Sequence, residues 1–275
     1  MSGVDVPSAG LRLLAPPVSA TPSAASRIAL LRVDRGLCAA IPPDQVEEAE
    51  RFLLAPVLRL AAGPWNADAA MPREGGYRTV LVVDGLMTLD VTLADRTISH
   101  LFTAGDPLRP WDRLSAVLPV TAGWSVGRGG ATVALLEARF ARAEQQWPAL
   151  RAVIQERFAE QAAALVVRTA IAALPRVGQR VVGLLWQLAD RWGTVRPEGV
   201  VINLALTHEL LGRLVGARRP TVSLALRDLA ADGLLTRTAS RAWLLSHSSH
   251  AILKVGTRAV RAPGVSTSTR RPVGV

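Results

Sequence analysis

The 275-residue sequence is poor in the residues on which most site chemistry depends: it has one cysteine, Cys38, and four histidines, His100, His208, His247 and His250. One thiol excludes an internal disulfide and any cluster or zinc site built on several thiolates, and Cys38 reads as a lone buried side chain. The histidines fall at no recurrent metal-ligand spacing, and His247 with His250 in a Ser-rich stretch reads as solvated polar sequence. No metal and no cofactor are expected. Long apolar runs are also missing, since the best candidate, QAAALVVRTAIAALP, is too short for a membrane span and carries Arg168. The first residues, MSGVDVPSAGLRLLAPPVSATPSAAS, lack the basic start and clean apolar stretch of a signal peptide and read as a loose leader. The expectation is a soluble, cytoplasmic chain that touches no membrane.

Catalytic signatures are absent as well: there is no Gly-x-Ser-x-Gly, no His-Glu-x-x-His and no clustered carboxylate pair. The glycine-rich VGRGGATV at 126–133 lacks the Lys-Ser/Thr of a phosphate-binding loop and precedes a strand pattern, so it reads as a turn. A small-molecule or nucleotide-binding enzyme is therefore the least favoured alternative, and the chain is read as no enzyme.

What the sequence does have is apolar surface and an uneven charge. Hydrophobic residues make up 49% of the chain, enough for two cores in a chain of this length. Residues 1–149 hold 14 Lys+Arg against 15 Asp+Glu, net −1, whereas 150–275 hold 18 against 7, net +11. Clustered cations on one module are what phosphate neutralisation requires, so the C-terminal half is expected to face nucleic acid.

The pattern along the chain divides it. Residues 27–62 read as short helical pieces, with PPDQVEEAE as a helix start and APVLRLA as an extended segment. RTVLVVDGLMTLDVTLADRTISHLFTAGD alternates β-formers, with turns expected at Asp84-Gly85 and Ala94-Asp95-Arg96, and ATVALLEARF at 131–140 follows the turn-rich GWSVGRGG. A small β-roll or barrel accommodates these strands economically. From about 141 the period becomes helical. Leu150, Ile154, Phe158, Gln161 and Leu165 form a stripe suited to packing on the domain or on a second copy, with Pro148 and Pro175 as the helix ends. TVRPEGVVINLAL reads as two short strands about Pro197-Glu198-Gly199.

THELLGRLVGARRPTVSLALRDLAADGLLTRTASRAWLL carries the function. Thr207 caps a helix running to Val215, Gly216 supplies a tight turn, and a second helix buries Val222, Leu226 and Leu229 against Leu211 and Leu214. Pro220 must lie in the first turn of that second helix, where its missing N–H is harmless. LLTRT and RAWLL then form a hairpin, which makes the unit a winged helix-turn-helix.

Residues 205–245 resemble the C-terminal DNA-binding domain of the Crp/Fnr family of bacterial transcription regulators. VLVVDGLMTLDVTLADRTISHLFTAGDPLRPWD is similar to that family's cyclic-nucleotide-binding-like β-roll, and the helix from about 148 lies where the family places its dimerisation helix. The resemblance implies an α+β chain: a leader (1–26), a β-roll (27–147), a dimerisation helix (148–174), a winged helix-turn-helix (175–246) and a basic flexible tail (247–275). Leu150, Ile154, Phe158, Gln161 and Leu165 are the expected dimer contacts. Arg219 matches the family's first base-reading arginine, while Pro220 and Leu224 stand where many members have a glutamate and a second arginine. Arg219 can reach guanine O6 and N7, Leu224 offers only apolar contact, and Arg218, Thr221, Ser223 and Arg227 can hold phosphates. Thr207, Arg237 and Arg241 complete the expected DNA-contacting set.

In members that bind cyclic AMP, a Gly-Glu pair holds the ribose, and an Arg followed by a small hydroxyl residue holds the phosphate. Here Asp106 replaces the glutamate, and Arg113-Leu114-Ser115-Ala116 follows too soon, through Pro107, Pro110 and Trp111. Cyclic AMP dependence is not expected, and no effector is legible. Haem ligation through His100 or Cys38 is the less favoured reading beside structural roles, and Trp65, Trp111 and Trp124 either line an apolar pocket or fill the core. The expected partners are double-stranded DNA at an inverted-repeat operator and a second copy of the chain, with RNA polymerase as an admissible third. A non-specific DNA-binding or protein-interaction helix-turn-helix is the principal alternative.

Overall fold

The computed structural model describes residues 26–67, 79–112, 114–115, 117–238 and 240–254. Strand-forming residues in the first half pair into an antiparallel sheet of β1 (Arg27–Ala29), β2 (Leu54–Leu60), β3 (Gly63–Trp65), β4 (Thr79–Leu93), β5 (Arg96–Thr103), β6 (Pro107–Leu108) and β7 (Val120–Leu136). The main path is β1-β2-β7-β4-β5, with β3 added to β7 and β6 to β4. Consecutive residues alternate between two cores, as a period of two demands. Val80, Val82 and Val133 enter the roll with Trp65, Met87 and Phe102. Leu81, Ala134 and Leu136 face the other way, towards the helices.

Two expectations change here. Asp84-Gly85 is not a turn: β4 continues through it with register shifts between Val82 and Asp84 and between Gly85 and Met87. GWSVGRGG, together with VGRGGATV, lies inside β7, where residues 127–130 bulge between the paired Val126 and Ala131. Glycine explains both corrections. Gly85 (φ 93) and Gly130 (φ 76) let the two strands bend at one place without ending. The Ala94-Asp95 turn closes β4 on β5 where expected.

Between β1 and β2 lie α1 (Leu30–Val33), α2 (Arg35–Ala39) and α3 (Val46–Phe52). After the sheet come α4 (Ala138–Gln146), α5 (Pro148–Ala172), which Pro148 opens, and α6 (Val177–Trp192). Asp34 joins the two ends of this half: its carboxylate caps α2 by accepting from Leu37 N–H and receives two hydrogen bonds from the Arg157 guanidinium of α5. α6 returns along α5, with Gly183 against Ile171 and the Gln187 amide donating to Ala164 O.

The C-terminal domain comprises β8 (Gly193–Arg196), β9 (Gly199–Ile202), α7 (His208–Val215), α8 (Arg219–Ala231), β10 (Leu235–Arg237) and β11 (Trp243–Leu245), with sheet order β10-β11-β9-β8. The start of the expected tail is ordered structure instead: His247–His250 form a 3-10 turn and Ala251–Lys254 a short helix, α9. Ser249 is buried and accepts from Trp186 Nε1–H, His250 lies against the Trp186 ring, and Ile252 and Leu253 pack on the domain core. The apolar 252–253 pair explains why this stretch docks. The rest of the tail and the leader through residue 25 lie outside the described residues. Among the described residues no helix is long and apolar enough to cross a membrane.

Candidate nucleic-acid interface

Local rules set α7 and α8. Thr207 Oγ1 accepts from Leu210 N–H and opens α7, and Gly216 ends it in the left-handed conformation (φ 66, ψ 38). Gly212 is needed for a different reason: a Cβ there would lie 2.6 Å from Ala217 O in the turn. α8 begins at Arg219, with Arg218 at its N-cap and Pro220 in its first turn. Val222, Leu226 and Leu229 are buried against Leu211, Leu214, Val181 and Leu185. This apolar wedge fixes the rotation of α8.

The opposite side of α8 is therefore exposed. Arg218, Arg219, Pro220, Thr221 and Arg227 are all solvent-facing, and Leu224 is 48% exposed. Cationic, hydroxyl and apolar groups lie side by side on one helix face that begins at an N-terminus, an arrangement suited to a phosphate-lined major groove. Arg227 has only a 3.9 Å contact to its neighbour Asp228.

Other expected contacts have internal duties. Thr207 is the α7 cap. Ser223 is half-buried, with its Oγ 3.0 Å from Nδ1 of His208, which ties α8 to the first residue of α7. Arg237 lies over the Trp243 ring at 3.6 Å and donates to Leu206 O and Arg241 O. It clamps the wing to the segment preceding α7. Arg241 is exposed at the hairpin, with φ 64. His208 carries no sign of its tie to α8 in the sequence beyond its position directly after a capping threonine. Burial, then Arg237 and Arg219, hold its pKa below the ordinary histidine value.

The domain rests on the β-roll of its own chain. Leu101 of β5 belongs to the C-terminal core, Leu86 packs on it, and Arg213 of α7 lies 3.7 Å from Asp90. At the head of the roll Asp106 is 2% exposed and its carboxylate is fully engaged: it accepts from Thr103 N–H, from Gln161 of α5 and from Arg191 of α6. The residue at the resemblance's ribose-binding position thus joins the roll to both long helices.

The expected dimer stripe also faces inward. Leu150 and Ile154 are buried in the chain's own core, Phe158 packs against it and Gln161 binds Asp106 and Pro107 O, which leaves Leu165 exposed. These side chains complete the protomer because the sheet offers them an apolar face. Cys38 is half-buried rather than buried. His100 contacts Phe102 edge-on and lies 3.5 Å from Arg168, and burial, then Arg168, lower its pKa to about 4. Arg113 and Ala116 lie outside the described residues.

A β-roll joined by a long helix to a winged helix-turn-helix is a two-domain architecture. The Crp-like helix-turn-helix domain model matches residues 179–247. Three solved structures share the fold. CooA from Carboxydothermus hydrogenoformans, solved as a mutant, has 19% identity and a TM-score of 0.54, covering 72% of this chain and 86% of its own. FixK2 from Bradyrhizobium japonicum has 16% identity and a TM-score of 0.53, covering 72% and 96%. A cyclic nucleotide-binding domain containing protein from Listeria monocytogenes EGD-e has 14% identity and a TM-score of 0.56, covering 78% and 97%. No curated protein matches the sequence. Residues 179–247 thus match a Crp-like helix-turn-helix domain, and the chain shares the two-domain fold of these structures.

Proposed function

We propose that the chain is a homodimeric, sequence-specific regulator whose two α8 helices read an inverted repeat in successive major grooves, about 34 Å apart. The observation that carries this reading is the exposed row Arg218, Arg219, Thr221, Leu224 and Arg227, held outward by buried Val222, Leu226 and Leu229. Arg219 reads guanine, Leu224 meets a thymine methyl, and Arg218, Thr221 and Arg227 hold phosphates. Arg241 of the wing reaches the flanking backbone, whereas Thr207, Ser223 and Arg237 act by positioning.

The dimer contact moves to the other face of α5, where Ala159, Ala163, Val166 and Ala170 recur at spacings of four, three and four and are exposed, Val166 at 72%. Small apolar residues at that spacing let two helices approach closely. The reading has no cyclic AMP dependence, which is supported by the three protein partners that the Asp106 carboxylate already has. RNA polymerase remains the partner through which a bound dimer acts.

Selection of genomic fragments by the purified chain, followed by footprinting, tests the reading. A protected inverted repeat is expected. Uniform binding that modest salt abolishes, without a protected site, overturns it in favour of a non-specific module. In sedimentation, Val166→Glu is expected to yield monomers while leaving Leu150 and Ile154 packed.

A further inference from the structure

One titratable side chain stands between the two helices of the helix-turn-helix and the wing. His208 is the first residue of α7, half-buried, with its Nδ1 3.0 Å from Ser223 Oγ. Ser223 lies one turn after Arg219 and one turn before Arg227, so the three share a strip of α8. The wing closes the other side. Arg237 of β10 lies over the Trp243 ring at 3.6 Å and donates to Leu206 O, two residues before His208, and the His208 and Trp243 rings are 6.5 Å apart.

The surroundings of the imidazole are therefore cationic. Burial first, then Arg237 and Arg219, favour its neutral form. Arg241, exposed at the hairpin, adds a further cation beside Arg237. The neighbouring carboxylate on α7, Glu209, is exposed and lies 3.7 Å from the Arg213 guanidinium. A neutral ring is enough to hold Ser223. The flanking guanidiniums do something else: they make the charge of His208 depend on what covers them.

DNA reverses the field at this position. A duplex carries one negative charge for about every 1.7 Å of its axis, and phosphates settling on α8 and the wing offset Arg219 and Arg237. A nearby opposite charge favours the protonated imidazole. We infer that each protomer takes up a proton from solvent at His208 when it binds DNA, so that acidification strengthens operator binding. The inference rests on the proposed placement of α8 in the major groove. Between the titration of the free chain and that of the complex, the complex holds more protons, so the added affinity is fully present below this window and is lost as pH rises through it. His100, with its pKa of about 4, stays neutral from pH 6 to pH 8 and contributes nothing there.

Anisotropy titrations of the full chain on the duplex that carries its protected repeat, at pH 6 and pH 8 and constant ionic strength, test it. Affinity is expected to be about tenfold higher at pH 6, the factor for one pKa unit. His208→Gln keeps a polar group opposite Ser223 but takes no charge, and is expected to bind at both pH values as the unsubstituted chain binds at pH 8. His208→Arg fixes the charge and is expected to bind at both as that chain binds at pH 6. Melting curves at both pH values establish that the variants are folded. The imidazole Cε1–H resonance reads the same event without a substitution, and His208 is expected to titrate at higher pH in the complex than in the free chain. Equal affinity of the unsubstituted chain at the two pH values, a pH dependence that survives His208→Gln, or a His208 titration unmoved by DNA overturns the proposal while leaving the placement of α8 intact. Absence of a protected repeat at either pH overturns that placement, and the proposal with it.

Discussion

The helix-turn-helix and the β-roll place their charged side chains in opposite ways. On α8, Arg218, Arg219 and Arg227 point into solvent. In the roll and its flanking helices three carboxylates are covered and tied to partners on other elements: Asp34 to Arg157, Asp106 to Arg191 and Gln161, and Asp90 to Ser99, Ser125 and Arg213. Exposed cations remain available to phosphates. Covered carboxylates act as rivets, joining sheet to long helices and the N-terminal half to the C-terminal half. The two kinds of charge should therefore fail differently, one in affinity and the other in stability.

Removing a rivet gives the largest effect. Asp34→Ala leaves the Arg157 guanidinium covered and unpaired and is expected to cost about 3–5 kcal/mol in chemical unfolding, with operator affinity of the folded fraction unchanged. A loss of operator affinity without a loss of stability would erase the distinction between the halves.

Acid provides the next test. His100 has a pKa of about 4 in the fold and about 6.5 in the unfolded chain, so the unfolded state binds more protons between those values. Its contribution is fully present above pH 6.5 and is lost as pH falls towards 4, by up to about 3 kcal/mol. Melting at pH 7 and pH 5 should show the loss, and His100→Gln should flatten it.

On the exposed side, Arg219→Ala is expected to cost about 1–3 kcal/mol of operator binding and to relax one base position, with the melting temperature unchanged. Arg96→Ala, at the exposed β4–β5 hairpin, is the control and should change neither. The smallest effect is expected for Arg227→Ala: a uniform weakening across DNA sequences and a salt slope reduced by about 1 in titrations at several ionic strengths.

Legibility follows the same division. Thr207, Gly216 and Pro220 marked the ends of α7 and α8 because caps, left-handed turns and first-turn prolines act within four residues of themselves. Asp84-Gly85 and GWSVGRGG misled for the complementary reason. A glycine that bends a strand and one that ends it have the same local sequence, and the difference lies in the partner strand, some 45 residues away. Ser223 and Arg237 looked like DNA contacts because a polar side chain near a basic helix start has no local sign that His208 or Trp243 will occupy it.

The sequence by itself determined a basic, winged helix-turn-helix half behind a long helix and a strand-rich half, because apolar period, capping and charge are properties of neighbouring residues. Only the tertiary structure decided which face of α5 the protomer covers, that Asp106 binds its own chain's Arg191, and that Trp65, Trp111 and Trp124 line one cavity. Each of those outcomes depends on groups brought together from tens of residues apart, where the energy of a contact depends on burial and direction, which no local pattern encodes.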